Sequence, residues 1–340
     1  MMYRLPVSRI DELFSTIAAA KTLYLPVDGN DGRAKYDKWT DGTVMSKQLN
    51  TVRSAKSFFF PQTTNICDFN VNGTNVEVVD IREESEDFVV FGVRACDARS
   101  FTILDKVFLA DPVDSYYANR REHGTVVTMA CSEPEENCFC NVFGIDAAAP
   151  EGDAACWTVD GYIYIKANTE KGEAFVASLK SLLEESDDAA VKAQQEATHE
   201  IVSRLPFGKV STDYFRKNTL LEIFDSDKWE KLSESCLGCG TCTFVCPTCQ
   251  CYDIKDFDTG HGIKRYRTWD SCMYADFTKM AHGNSRNAQM QRFRQRFMHK
   301  LVYFPDNNDG EFGCVGCGRC LSRCPISMNI IKVIKEFGEE

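Results

Sequence analysis

The sequence predicts an α+β protein: an N-terminal α/β domain over residues 1–215, then a mainly helical, cysteine-rich domain over residues 216–340. Three observations predict it. Short apolar runs of strand type alternate with helical periods through the first half. Between about Lys171 and Leu205 the composition shifts to Ala, Glu, Lys, Gln and Ser. From Cys236 onward cysteine density rises sharply and stays high to Cys324. A chain of 340 residues is also longer than a typical single domain of roughly 100–200 residues.

Residues 8–21 read as an amphipathic helix, with Ser8 placed to cap it and Ile10, Leu13, Phe14 and Ile17 on one face. Strand-type runs follow at Thr22 to Val27, Val76 to Ile81, Phe88 to Val93, Thr125 to Met129 and Tyr162 to Ile165, separated by Gly, Asn and Asp turn signals. Phe175, Leu179, Leu182 and Leu183 make a stripe in the Ala/Glu/Lys-rich stretch, which reads as two helices bridging to the second domain. A further helical stretch near Thr219 to Leu232 leads into the cysteines, so the boundary is placed between about 205 and 230.

The strongest signal is Cys236-x2-Cys239-x2-Cys242-x3-Cys246-Pro247, repeated as Cys314-x2-Cys317-x2-Cys320-x3-Cys324-Pro325. Three closely spaced thiolates wrap one face of a four-iron cubane, and the fourth, before a proline, points away. In two-cluster ferredoxins that fourth cysteine ligates the other cluster. Cluster I is therefore expected on Cys236, Cys239, Cys242 and Cys324, and cluster II on Cys314, Cys317, Cys320 and Cys246. The glycines of LGCGTC and VGCGRC suit tight turns whose N–H groups point at sulfur. Paired Cys-x2-Cys units also build structural zinc sites, but the third cysteine, the fourth and the proline, all occurring twice, favour iron-sulfur clusters.

Four further cysteines sit past apolar strands, where α/β sheets build sites. Cys96 follows Phe88 to Val93, Cys131 follows Thr125 to Met129, and Cys138 and Cys140 lie in the next loop. Together they would suffice for a third 4Fe-4S cluster, with Asp97 near enough to substitute as a ligand or to bias its potential. Cys67 and Cys156 read as small buried apolar residues. Cys249, Cys251 and Cys272 are left open: they would hold a further cluster only with an outside ligand, and would equally pack around the other two.

Between the two runs, Met290, Phe293, Phe297, Leu301 and Phe304 form an apolar helical stripe, read as core. Arg292, Arg296 and Lys300 recur every four residues on another face. That basic row is read as solvated, or as docking an acidic partner or balancing cluster charge.

The 17 cysteines, an odd number in close spacings, argue for metal ligation over a disulfide framework in a cytosolic chain. With Lys+Arg 39 against Asp+Glu 50, a net charge of −11 makes nucleic acid a poor partner. MMYRLPVSRIDELF lacks the features of a secretory signal and no run of about 18 apolar residues occurs, so a soluble, cytoplasmic protein without a membrane partner is expected. There is no GxGxxG after a strand, no phosphate-binding Walker loop and no His-Glu-x-x-His, so no flavin or nucleotide is expected on this chain.

VRACDARSFTILDKVF, ACSEPEENCFC, CLGCGTCTFVCPTCQCYD, WDSCM and RFRQRFMHKLVYFPDNN before CVGCGRC occur in that order. From about residue 88 to the C-terminus this combination resembles the iron-sulfur electron-transfer subunits typified by the sulfhydrogenase beta subunit and by the corresponding iron-sulfur subunit of anaerobic sulfite reductase. The resemblance implies a protein that relays electrons between an FAD- and NAD(P)-binding, diaphorase-type subunit and its catalytic partner. That partner would be a hydrogenase, a sulfite reductase or a heterodisulfide-reductase-like module. The chain is then expected to be a non-catalytic part of an anaerobic oxidoreductase complex. The alternative is a self-contained iron-sulfur reductase that acts on a small oxidant at the N-terminal cluster near Cys96 and Cys131.

Overall fold

The computed structural model describes residues 1–81 and 85–338. Its strands of three or more residues are β1 (Met2–Pro6), β2 (Thr22–Asp28), β3 (Ala34–Lys38), β4 (Thr63–Asn72), β5 (Asn75–Asp80), β6 (Phe88–Val93), β7 (Gly124–Met129), β8 (Ala154–Val159), β9 (Tyr162–Ala167), β10 (Glu184–Ser186), β11 (Tyr252–Asp258) and β12 (Ile263–Trp269). Eight of them form one mixed sheet in the order β10-β1-β9-β8-β7-β6-β2-β3. Its centre, β2, β6, β7 and β8, is parallel, and antiparallel strands flank it.

The central strands FVVFGV and GTVVTM are buried along their whole length, as parallel strands covered on both faces must be. Alternation along β6 assigns the layers. Val89 and Phe91 join a core with helices α1 (Ile10–Ala20) and Glu170–Ser178, which supply Leu13, Phe14, Ile17, Phe175 and Val176. Phe88, Val90 and Val93 point the other way, against α2 (Ala95–Phe108) and α3 (Ser115–His123) through Phe101, Leu104, Phe108 and Tyr117. Each fully buried large apolar side chain contributes about 1.5–3 kcal/mol relative to exposure.

The strands β1, β3, β4, β8 and β10 have no counterpart among the expected runs. The five strand runs are all present, and the Ala/Glu/Lys-rich stretch forms two helices, Glu170–Ser178 and Ala189–Arg204. Ser8 does not cap the first helix. It lies in a short 3-10 turn, Val7–Arg9, and Arg9 occupies the cap without a side-chain bond. At Thr219 a reciprocal capping box with Glu222 opens the helix Leu220–Phe224, which precedes Lys228–Ser233.

The cysteine-rich half has its own core. Trp229, Phe293, Phe297, Leu301, Ile334 and Phe337 pack between Gln289–Met298 and the terminal helix Ile330–Gly338. This half is not helical throughout. The hairpin β11–β12 pairs antiparallel with β4, which pairs with β5, giving a second sheet in the order β11-β12-β4-β5. Among the described residues, no helix is long and apolar enough to cross a membrane.

Candidate metal centres

The two ferredoxin-type runs adopt matching conformations. In each, the second glycine of the CxxCG segment has positive φ, 73° at Gly240 and 75° at Gly318, and a short helix follows, Thr241–Phe244 or Arg319–Ser322. These helices carry Cys242 and Cys320 into mutual electrostatic contact. The Gly238 amide donates to Cys236 Sγ at 3.5 Å, the kind of bond that tunes a cluster sulfur.

The thiol of Cys246 stands among those of the second run. Cys314, Cys317 and Cys320 each feel its charge, although Cys246 belongs to the first run in sequence. Of the expected cluster I set, Cys242 neighbours Cys236, and Tyr274 senses both Cys239 and Cys242. Cys239 is exposed; for Cys324 the geometry gives half-burial only.

Burial pushes the Cys314 thiol up to about 12, so iron insertion must displace its proton. Burial would also lower the Arg296 guanidinium, yet Cys242, Cys320, Cys249 and Cys246 more than offset this and hold it above its ordinary value.

The N-terminal cysteines converge at the carboxyl ends of β6 and β7. Cys96 lies in the first turn of α2, Cys131 just past β7, and Cys138 and Cys140 in the following loop. All four are buried. Cys131, Cys138 and Cys140 are mutual neighbours, and Cys96 neighbours Cys140 and also Cys317 of the second run. Burial raises the thiols of Cys138 and Cys140 to about 11 and 12.

This loop is pressed against the second ferredoxin run. The Phe139 amide donates to Gly316 O at 3.0 Å, and a Cβ on Gly316 would fall 2.4 Å from Phe139 O. Only glycine permits that approach.

Asp97 is placed differently from a substitute ligand. Both its carboxylate oxygens are taken by Arg319, at 2.5 and 2.7 Å, in an ion pair almost sealed from solvent. Arg319 Nε also donates to Thr51 O at 2.9 Å. Arg94 donates to Leu49 O at 2.8 Å and Ala130 O at 3.0 Å, and its charge opposes the burial that raises Cys131.

The basic row between the runs is not solvated. Arg296 and Lys300 are buried, 3% and 5% exposed, and both face the cysteines, while Arg292 is half-buried. Lys300 sits in a π-helical turn, His299–Tyr303, that continues Gln289–Met298; such turns are frequent at functional sites. Lys56, 2% exposed, reaches the same place from the N-terminal half. Sequence reasoning missed Lys56, Arg94 and Arg319 altogether; no local pattern marks them. Cys156 lies in the sheet core and Cys67 on β4, away from these groups.

Among the described residues, no three His, Cys, Asp or Glu side chains converge as they would on a single ion. A four-iron cluster instead binds each thiolate to a different iron and spreads them apart. Thiol sets with buried arginines and lysines alongside, and an amide aimed at sulfur, fit such clusters.

A family model described as a 4Fe-4S dicluster domain matches residues 235–328, spanning both runs. Sulfhydrogenase 2 subunit beta of Pyrococcus furiosus is 31% identical over 335 residues, covering 96% of each chain. No solved structure matches.

Proposed function

The chain belongs to the family of sulfhydrogenase beta subunits, and from that premise we propose that it relays single electrons between a diaphorase-type FAD/NAD(P)-binding subunit and its catalytic redox partner. That partner is a hydrogenase, or a sulfite reductase or heterodisulfide-reductase-like module. In this reading Cys236, Cys239, Cys242 and Cys324 hold cluster I, Cys314, Cys317, Cys320 and Cys246 hold cluster II, and Cys96, Cys131, Cys138 and Cys140 hold a third 4Fe-4S cluster. The flavin belongs to the neighbouring subunit, and the complex works in the cytoplasm.

The observation that carries the reading is the Cys246 thiol standing among Cys314, Cys317 and Cys320, as swapped ligation requires. Cys317 also neighbours Cys96, which supports an unbroken path from the ferredoxin runs into the N-terminal site. When bound, the clusters supply reversible one-electron storage. The chain's own residues hold thiolates in place, exclude water and set charge: Arg296 and Lys300 beside the C-terminal cysteines, Arg319 and Arg94 beside the N-terminal ones.

Anaerobic purification tests this. About eight to twelve iron atoms per chain are expected for two or three four-iron clusters, with reversible bleaching by dithionite and copurification with a flavoprotein. Zinc without acid-labile sulfide would sink it.

A second reading, a self-contained reductase, draws on one feature. A cavity of about 530 Å³ opens beside Cys131 and Arg94, walled by Phe14, Met45 and Trp157. Turnover of sulfite or polysulfide by the purified chain alone would favour it.

A further inference from the structure

Five cysteines lie outside the three sets above: Cys67, Cys156, Cys249, Cys251 and Cys272. Cys249, Cys251 and Cys272 line one small recess of about 10 Å³, whose wall also carries Arg296, Lys300 and Thr248. The hairpin builds it. Tyr252 pairs with Trp269, and the Asp270 amide donates to Cys251 O at 3.0 Å, so strand register holds Cys251 and Cys272 together at the open end of β11–β12. The thiols of Cys251 and Cys272 are neighbours, as are those of Cys249 and Cys246. Residues 247–251 thus turn straight from the last ligand of the first run into a second group of thiols.

The charges around the recess lack an anion of the usual kind. Lys300 Nζ donates only to neutral oxygens, Thr248 Oγ1 at 2.6 Å and Gly313 O at 2.9 Å. Lys56 Nζ donates to Cys249 O at 2.8 Å and lies 3.7 Å over the Trp269 ring. Arg296 Nε is shielded from solvent and has no hydrogen-bond partner. Among the described residues no carboxylate pairs with any of the three. Buried cations need a counter-charge, and thiolates with sulfides are the candidates within reach. Cys242 of cluster I faces Arg296 and Cys246 of cluster II faces Lys300, while Cys249 is the thiol that most opposes the effect of burial on Lys56.

We propose that Cys249, Cys251 and Cys272 ligate a further iron-sulfur cluster, held by three protein thiolates and seated directly against cluster II. Each thiol loses its proton as its iron–sulfur bond forms, and the positive side chains take up the resulting charge. Three thiolates satisfy every iron of a 3Fe-4S cluster, or leave one iron of a 4Fe-4S cluster to an exchangeable ligand such as hydroxide. The inference rests on cluster II being where the relay reading puts it.

The test compares wild type with a Cys251→Ala/Cys272→Ala variant and, separately, with Cys317→Ala. All three are purified anaerobically as full chains and reconstituted with ferrous iron and sulfide. The double variant is expected to lose about three or four iron atoms per chain while the dithionite-reduced paramagnetic signal of the ferredoxin pair survives. A near-isotropic signal in the oxidised wild type that the variant lacks identifies the three-iron form. An unchanged iron content in the double variant overturns the proposal. Should alanine unfold the hairpin, Cys251→Ser/Cys272→Ser gives the same decision with side chains of nearly the same size. If Cys317→Ala also keeps all its iron, the relay reading fails instead.

Discussion

The two cysteine-bearing regions both hold buried cations beside their thiols, but they differ in how far those thiols are sealed from water. The ferredoxin runs leave their thiols half-buried, and Cys239 is exposed, whereas Cys96, Cys131, Cys138 and Cys140 are all at or below 9% exposure. An anion near water is stabilised by solvent; an anion in the interior needs fixed cations. The N-terminal site has Arg319 and Arg94, and Arg319 comes from the second ferredoxin run itself. The inner site therefore depends on the outer one for its charge as well as its packing. Under the relay reading, electrons exchange with partners at the exposed Cys239 end and travel inward.

Breaking the junction between the regions should have the largest effect. Cys317→Ala is expected to remove about four iron atoms and to leave the inner site unreduced when electrons enter at cluster I. Iron analysis and freeze-quench spectroscopy check this; normal reduction of the inner site would refute the dependence. Asp97→Ala leaves the Arg319 guanidinium buried without its carboxylate, at a cost of about 3–5 kcal/mol. Chemical denaturation under argon measures that loss, and a change below about 1 kcal/mol would mean that the cysteine side already balances Arg319.

Lys300→Met sharpens the comparison on the C-terminal side. Removing one buried positive charge should make the neighbouring cluster harder to reduce, by about 2 kcal/mol for a unit charge roughly 8 Å away at an effective dielectric near 20. A redox titration followed spectroscopically gives the sign. The smallest effect is expected at Cys156. It is as buried as any cysteine in the chain, but burial alone raises its thiol, with no second thiol beside it. Cys156→Ala should therefore cost about 1 kcal/mol of packing and no iron. Loss of iron there would show that burial, rather than convergence of thiols, marks a ligand.

Much of this arrangement was legible in the sequence because it is local. The continuous apolar run FVVFGV, the spacing of the two Cys-x2-Cys-x2-Cys runs and the placing of Cys96 and Cys131 past strand ends each depend on neighbours a few residues away. What was not legible depends on distant partners. Arg296 and Lys300 recur at a spacing that fits a solvated face as well as a buried one, and only the packed cysteines decide between them. Asp97 looked free to act on iron because its partner, Arg319, lies 222 residues away. The hairpin β11–β12 was hidden for the same reason: β11 is exposed along its whole length, and the pairing of β12 with β4 is set by the fold.

That pairing also shapes how the chain comes into being on the ribosome. β4 meets β12 between residues such as Asn65 and Tyr266, so the β4–β5 hairpin emerges with an open edge long before its neighbour is made. Throughout synthesis of the intervening chain, that edge is a template for any other strand in the cell. Assembly of the second sheet is thereby postponed until translation has passed the first ferredoxin run, and a separately expressed N-terminal half would keep the unpaired edge for good.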